Sequence, residues 1–247
     1  MKTVLITGCS SGFGLETARY FLDRDWRVIA TMRTPRPDLL PASDRLRVIA
    51  LDVSDADSIR LALDQAGPID VLVNNAGIGL LGALEGIPLA SVREVFETNT
   101  LGVMALTQAV LPQFRQRGAG VVVNVTSSVT LLPLPLLAVY TASKAAVHAF
   151  TTSLALEVAP FGVRLALVLP GRAPTTSFGA NARGRMEGAI PAAYAPLAQR
   201  VFDEWSQPGP VTTALDVAEA VWLAATDPAS PMCIPAGADA VALSRPQ

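Results

Sequence analysis

Short apolar runs alternate with longer stretches of helical periodicity along this chain. The runs Val4–Thr7, Arg27–Thr31, Arg47–Leu51, Asp70–Val73, Val121–Thr126 and Val163–Leu169, with a shorter one at Met232–Ile234, are dominated by Val, Ile and Leu. Parallel strands covered on both faces have this continuous apolar character. Between them the spacing predicts helices over about Phe13–Arg24, Ala56–Gln65, Pro88–Arg117, Tyr140–Ala159 and Ala214–Ala225. Such alternation predicts an α/β fold, a doubly wound parallel sheet of about seven strands with helices on both faces.

Two stretches break the rhythm. Thr34 to Asp44 is rich in proline and charge and reads as a surface loop. Residues 171–211 show no clear strand and carry Phe178, Met186, Tyr194, Phe202 and Trp205 among small residues. Long irregular segments in compact domains are often lids or binding loops. This one is expected to be a substrate loop or lid on a single domain spanning 1–247, built wholly or partly from short helices.

Composition narrows the function classes. Hydrophobic residues make up 51% of the 247, enough for a large core, and aromatics only 6%. Lys and Arg total 19 against 21 Asp and Glu, with no dense basic cluster, which argues against a nucleic-acid partner. Cys9 and Cys233 are too far apart for a metal motif and form no disulfide framework, and are expected to be reduced thiols. The first strand pattern begins at once, so no signal peptide is expected. The most apolar stretch, Val121 to Val139, is broken by Asn124, Thr126, Ser127, Ser128, Pro133 and Pro135, so no membrane span is expected. A cytoplasmic location follows as an expectation.

The chemistry gathers at strand ends. Thr7-Gly8-Cys9-Ser10-Ser11-Gly12-Phe13-Gly14 lies between the first strand and the first helix. Glycines there let the backbone approach a phosphate, and the helix offers its positive N-terminus, as in Rossmann-type dinucleotide sites. Candidate cofactor residues are Gly8, Ser10, Ser11, Gly12, Phe13 and Gly14. The second strand ends at Arg33 with no acid nearby, which favours the 2′-phosphate of NADP(H) over NAD(H). Asp52 and Val53 follow the third strand, Asn75, Ala76 and Gly77 the fourth, Ser127 the fifth, and Pro170 and Gly171 the sixth. Each alone could be turn chemistry. Together they occupy the carboxyl edge, where ligands bind.

Tyr140 and Lys144 are four apart in a helical pattern and therefore share a face. An ammonium beside a phenol favours the phenolate and would bring its pKa, ordinarily near 10, down toward neutrality. Asn99, a poor helix-interior residue, sits within the fourth helical stretch and reads either as a kink or as an amide aimed at the site. His148, the single histidine, is better explained as a helix-surface or subunit-contact residue.

Thr7 to Gly14, Asn74 to Gly77, Asn99 and the Tyr140-to-Lys144 spacing resemble the short-chain dehydrogenase/reductase family over nearly the whole chain. Val4 to Gly12 and Ala30 to Arg33 are similar to its 17β-hydroxysteroid dehydrogenase-like branch. The family serine stands thirteen residues before the tyrosine and three after an Asn. Both counts select Ser127, with Ser128 as the fallback. The resemblance implies hydride transfer between NADP(H) and a hydrophobic ketone or aldehyde and its alcohol. Tyr140 would be the acid or base, Lys144 its pKa-lowering and ribose-binding partner, Ser127 the oxyanion donor, and Asn99 the holder of a water. It also implies that Ala173 and Thr175 contact the nicotinamide end, although Pro174 and Arg172 depart from the family pattern. A homodimer or homotetramer through the two long helices would follow. Two alternatives remain: a non-catalytic NADP(H)-binding sensor or scaffold, and a sugar-nucleotide epimerase or dehydratase.

Overall fold

A computed structural model describes residues 1–176, 182, 184–186 and 188–244. Seven strands form one sheet: β1 Thr3–Ile6, β2 Arg27–Met32, β3 Leu46–Ala50, β4 Val71–Asn74, β5 Gly120–Val125, β6 Val163–Pro170 and β7 Cys233–Ala236. Their order is β3-β2-β1-β4-β5-β6-β7, and every pairing is parallel. The order reverses beside β1, between β1 and β4, the point at which open α/β sheets bind ligands.

Alternate strand residues enter two cores. Val4, Ile6, Val28, Ala30 and Val73 pack on one face with Phe21 and Leu22 of α1 (Gly12–Leu22). Leu5, Ile29 and Leu72 pack on the other with Ile59 of α2 (Ala56–Ala66). Adjacent strand residues point to opposite faces, so an all-apolar strand is stable only when both faces are covered. Phe21 is completely buried, and its truncation to Ala would cost about 3–5 kcal/mol. Local signals fix helix ends. Asp55 caps α2 by accepting from the Ser58 N–H at 2.9 Å.

The stretch Pro88–Arg117 is not one α-helix. It divides into α3 (Leu89–Phe96), a π-helical turn (Glu97–Leu101) and α4 (Gly102–Arg117). The π turn places Asn99 and Thr100 in the interior. A buried polar thread joins β4 and β5 to the helices: Asn74 Nδ2 donates to Asn124 Oδ1 at 2.9 Å, and Asn124 Nδ2 donates to Thr151 Oγ1 at 2.8 Å. Thr151 lies on α5 (Ala138–Val158). Slipping the pairing by one residue would strand these amides in the core, so they fix the register.

After β6, the described part of residues 171–211 contains a short turn at Ala192–Tyr194 and helix α6 (Ala195–Ser206). Phe178 lies outside the described residues. Ala198 and Val201 of α6 pack with Leu81, Ala83 and Leu136, joined by Met186, Tyr194, Phe202 and Trp205. Helix α7 (Ala214–Thr226) begins with a capping box between Thr213 and Asp216. After β7 comes α8 (Ala238–Leu243). Among the described residues no helix is long and apolar enough to cross a membrane.

Candidate active site

The carboxyl edge of the sheet opens into a cleft of about 430 Å³. It is lined by Gly8, Ser10, Ser11, Gly12 and Phe13 between β1 and α1, by Arg33, Asp52 and Val53 just after β2 and β3, and by Asn75, Ala76 and Gly77 just after β4. Gly14 lies beneath the loop, where a Cβ would meet the Gly8 carbonyl and stand 2.5 Å from Asn75 Nδ2. Gly8 and Gly12 adopt φ of 74° and 55°, a left-handed region that favours glycine. Ser11 is at the N-cap position of α1, but its side chain does not cap the helix, and the first turn holds no acid. These features fit a dinucleotide whose phosphates meet a helix N-terminus.

Asn75 does more than line the cleft. Its side-chain amide donates to Thr7 O at 2.8 Å, and Thr7 Oγ1 accepts from the N–H groups of Asn75 and Ala76 at 3.0 and 2.9 Å. The turn after β4 thus braces the glycine loop after β1. Asp52 accepts from the Ser54 hydroxyl at 2.6 Å and the Ser54 N–H at 3.0 Å, which holds its carboxyl below the usual range; the Arg33 charge adds a smaller pull.

Ser127, Tyr140 and Lys144 come together at the β5 end. Tyr140 and Lys144 lie on α5, buried to 7% and 4% exposure. The Ser127 hydroxyl is hydrogen-bonded to the Tyr140 phenol. Ser128 instead begins a short 3-10 turn. Lys144 Nζ donates to Val125 O at 3.0 Å. The expected lowering of the tyrosine pKa does not hold in the protein alone. Burial pushes Tyr140 up to about 12, with Ser127 opposing, and pushes Lys144 down to about 8. Loss of hydration penalises phenolate and ammonium alike.

Gly77 links this group to the cleft. A Cβ there would stand 3.3 Å from Asn99 Oδ1 and 3.4 Å from Lys144 Nζ. The Asn99 side chain is engaged by protein groups: Oδ1 accepts from Ile78 N–H at 2.8 Å, and Nδ2 donates to Ile78 O at 2.9 Å and Ser143 Oγ at 3.1 Å. It clamps the turn after β4 against α5.

The segment after β6 differs from expectation in detail. The Arg172 guanidinium donates to the Trp205 and Gln207 carbonyls at the end of α6, where the helix dipole favours a cation. Ala173 O accepts from the Thr176 N–H at 3.2 Å and hydroxyl at 2.9 Å. Thr176, not the exposed Thr175, lines the cleft, and the Gly12 Cβ position is 3.5 Å from it. Ser54, Glu94, Thr98 and Arg185 also line the cleft without having been expected there. Arg185 Nη2 pairs with Glu94 Oε1 at 2.9 Å, a contact between residues 91 positions apart that leaves no local signal.

Residues 2–185 match the family model for short chain dehydrogenase, so the chain belongs to the short-chain dehydrogenase/reductase family. It is 42% identical over 182 residues to retinol dehydrogenase 8 of Bos taurus, covering 69% of this chain and 58% of that protein. It is 40% identical over 179 residues to 17-beta-hydroxysteroid dehydrogenase type 1 of Homo sapiens, covering 67% of this chain and 55% of that protein. The chain thus spans less than two thirds of the length of these relatives. A solved short-chain dehydrogenase from Streptomyces avermitilis superposes with a TM-score of 0.81 at 36% identity, covering 98% of this chain and 90% of the other. The closed form of serine dehydrogenase complexed with NADP+ gives a TM-score of 0.81 at 28% identity, covering 95% and 94%.

Proposed function

We propose that the protein is an NADP(H)-dependent oxidoreductase that interconverts a hydrophobic ketone or aldehyde and its alcohol, with Tyr140 as general acid and base. One observation carries this reading: a Ser127–Tyr140 hydrogen bond and Lys144 one turn away stand beside a glycine-lined cleft, joined to it through Gly77.

Bound NADPH would supply the hydride, held by the glycine loop with Arg33 at its 2′-phosphate. The buried phenol of Tyr140 is fully protonated at neutral pH, which suits proton donation to a carbonyl oxygen. The Ser127 hydroxyl donates to the same oxygen as charge develops on it. Lys144 is charged below about pH 8, and its positive field stabilises the phenolate left after proton transfer. In the oxidative direction that phenolate accepts the alcohol proton.

The apolar cluster of Leu81, Leu136, Met186 and Tyr194, beside the start of α5, supports a lipophilic substrate. Retinol and 17β-hydroxysteroid, named in two relatives, are of that kind. Residues 171–211 would act as the lid over it. A homodimer or homotetramer through α4 and α5 is proposed, supported by the exposure of Leu156 on α5 and of Phe161 in the turn that follows it, together with a cytoplasmic location.

Tyr140→Phe tests the reading. With a panel of lipophilic ketones, NADPH oxidation should fall at least about 100-fold while NADPH binding by fluorescence is unchanged, a proton-transfer group contributing ~100–10,000-fold. Turnover retained at the wild-type rate removes Tyr140 from the chemistry.

A further inference from the structure

The ends of β6 and β7 are tied by a buried polar lock that neither the glycine loop nor the tyrosine group uses. Thr212 is completely buried. Its hydroxyl accepts from the Gly171 N–H at 2.8 Å and lies 2.8 Å from both Ala236 O and Asp239 Oδ1. A hydroxyl has one proton, and the charged carboxylate is the stronger acceptor, so that proton belongs to Asp239. The other carboxylate oxygen accepts from the Arg172 N–H at 2.5 Å, and Thr212 N–H donates to Arg172 O at 2.8 Å. Two glycines make room. A Cβ on Gly171 would collide with the Asp239 carboxylate, and one on Gly237, at φ 94°, with Thr212 Oγ1.

Residues 41 and 67 positions downstream therefore hold the backbone of Gly171 and Arg172. The chain then passes through Ala173, whose carbonyl takes both Thr176 bonds, to Thr176 against Gly12. This strap runs from the end of β6, next to the β5 end that carries Ser127, back across the glycine loop. Arg33 and Asp52 follow β2 and β3, on the side of β1 away from β5 and β6. The strap therefore covers the reactive half of a dinucleotide extended between the glycine loop and Tyr140.

We infer that Asp239 and Thr212 are positioning residues that hold the Gly171–Thr176 strap on the nicotinamide half of the cofactor, an inference that rests on the NADP(H) reading above. Neither touches the cofactor; both act through the backbone of Gly171 and Arg172.

Calorimetric titration of Thr212→Val, Thr212→Ser and Asp239→Asn with NADP+ and with adenosine 2′,5′-bisphosphate, which lacks the nicotinamide half, tests this. T212V and D239N should weaken NADP+ binding about 10-fold, the loss expected for one such hydrogen bond, with bisphosphate affinity unchanged. T212S, which keeps the hydroxyl, should bind both as the wild type does. Equal weakening of both ligands, or unchanged NADP+ affinity in both T212V and D239N, overturns the inference. If T212V does not fold, D239N and T212S decide. A wild type that binds neither ligand overturns the cofactor reading instead.

Discussion

Thr7 and Asn75 hold each other through main chain and side chain together. Thr7 Oγ1 accepts two backbone N–H groups, from Asn75 and Ala76, while the Asn75 side chain donates to Thr7 O. The bond network therefore makes the ends of β1 and β4 one rigid unit beneath the cleft. Thr7→Val keeps the shape and removes the acceptor, leaving two N–H groups without this partner. An unmet buried donor costs ~1–3 kcal/mol, so urea denaturation should show a loss of about 2 kcal/mol or more, restored by Thr7→Ser. Unchanged stability in Thr7→Val would mean the clasp contributes nothing.

Gly14→Ala places a methyl against the Gly8 carbonyl and 2.5 Å from Asn75 Nδ2. Backbone cannot yield as a flexible side chain does, and overpacking of this kind costs ~1–3 kcal/mol. The melting temperature should fall by several degrees and NADPH affinity should drop with it.

Arg33 is exposed at the end of β2 and stands near Asp52. Hydrogen bonds to charged groups contribute ~1.5–3 kcal/mol. Arg33→Ala should reduce the preference for NADPH over NADH in kcat/KM by about 10-fold or more, with NADH kinetics barely altered. Equal losses for both cofactors would remove Arg33 from 2′-phosphate recognition.

Lys144 carries a pH signature. Its folded pKa is depressed to about 8 from an ordinary 10.5, so between those values the unfolded chain binds the extra proton. Stability then rises with pH over that window, having been reduced below it. Paired thermal melts of wild type and Lys144→Met should show the wild type gaining on the variant as pH rises from about 8 to 10. Ketone reduction should fall over the same rise, as the ammonium loses its proton. Parallel stability curves for the two proteins would show that Lys144 is not held in this way.

The strands were legible because burial on both faces demands apolar residues at every position; Val71, Leu72 and Val73 show it. The candidate site was legible wherever spacing within one element defines it: Tyr140 and Lys144 do share α5. The π turn was not, because one added residue in thirty barely alters an apolar pattern, although Asn99 marked the spot. The tyrosine's raised pKa also escaped, since burial is a property of the whole fold and not of the three residues between phenol and ammonium. Thr212 and Asp239 are remote in sequence from Gly171, and nothing near either announces the contact. Thr175 and Thr176 form a doublet whose inward member only the backbone direction decides.

The turn at Glu97–Leu101 has one further consequence. An α-helix rotates ~100° per residue, and the five-residue turn inserts one step of that rotation between α3 and α4. Loss of a single residue there would turn all of α3, with Glu94, away from the cleft while every side chain kept its identity. At this place the protein depends on chain length as well as on the Asn99 amide: a deletion of one codon there would cost more than a substitution at Thr98.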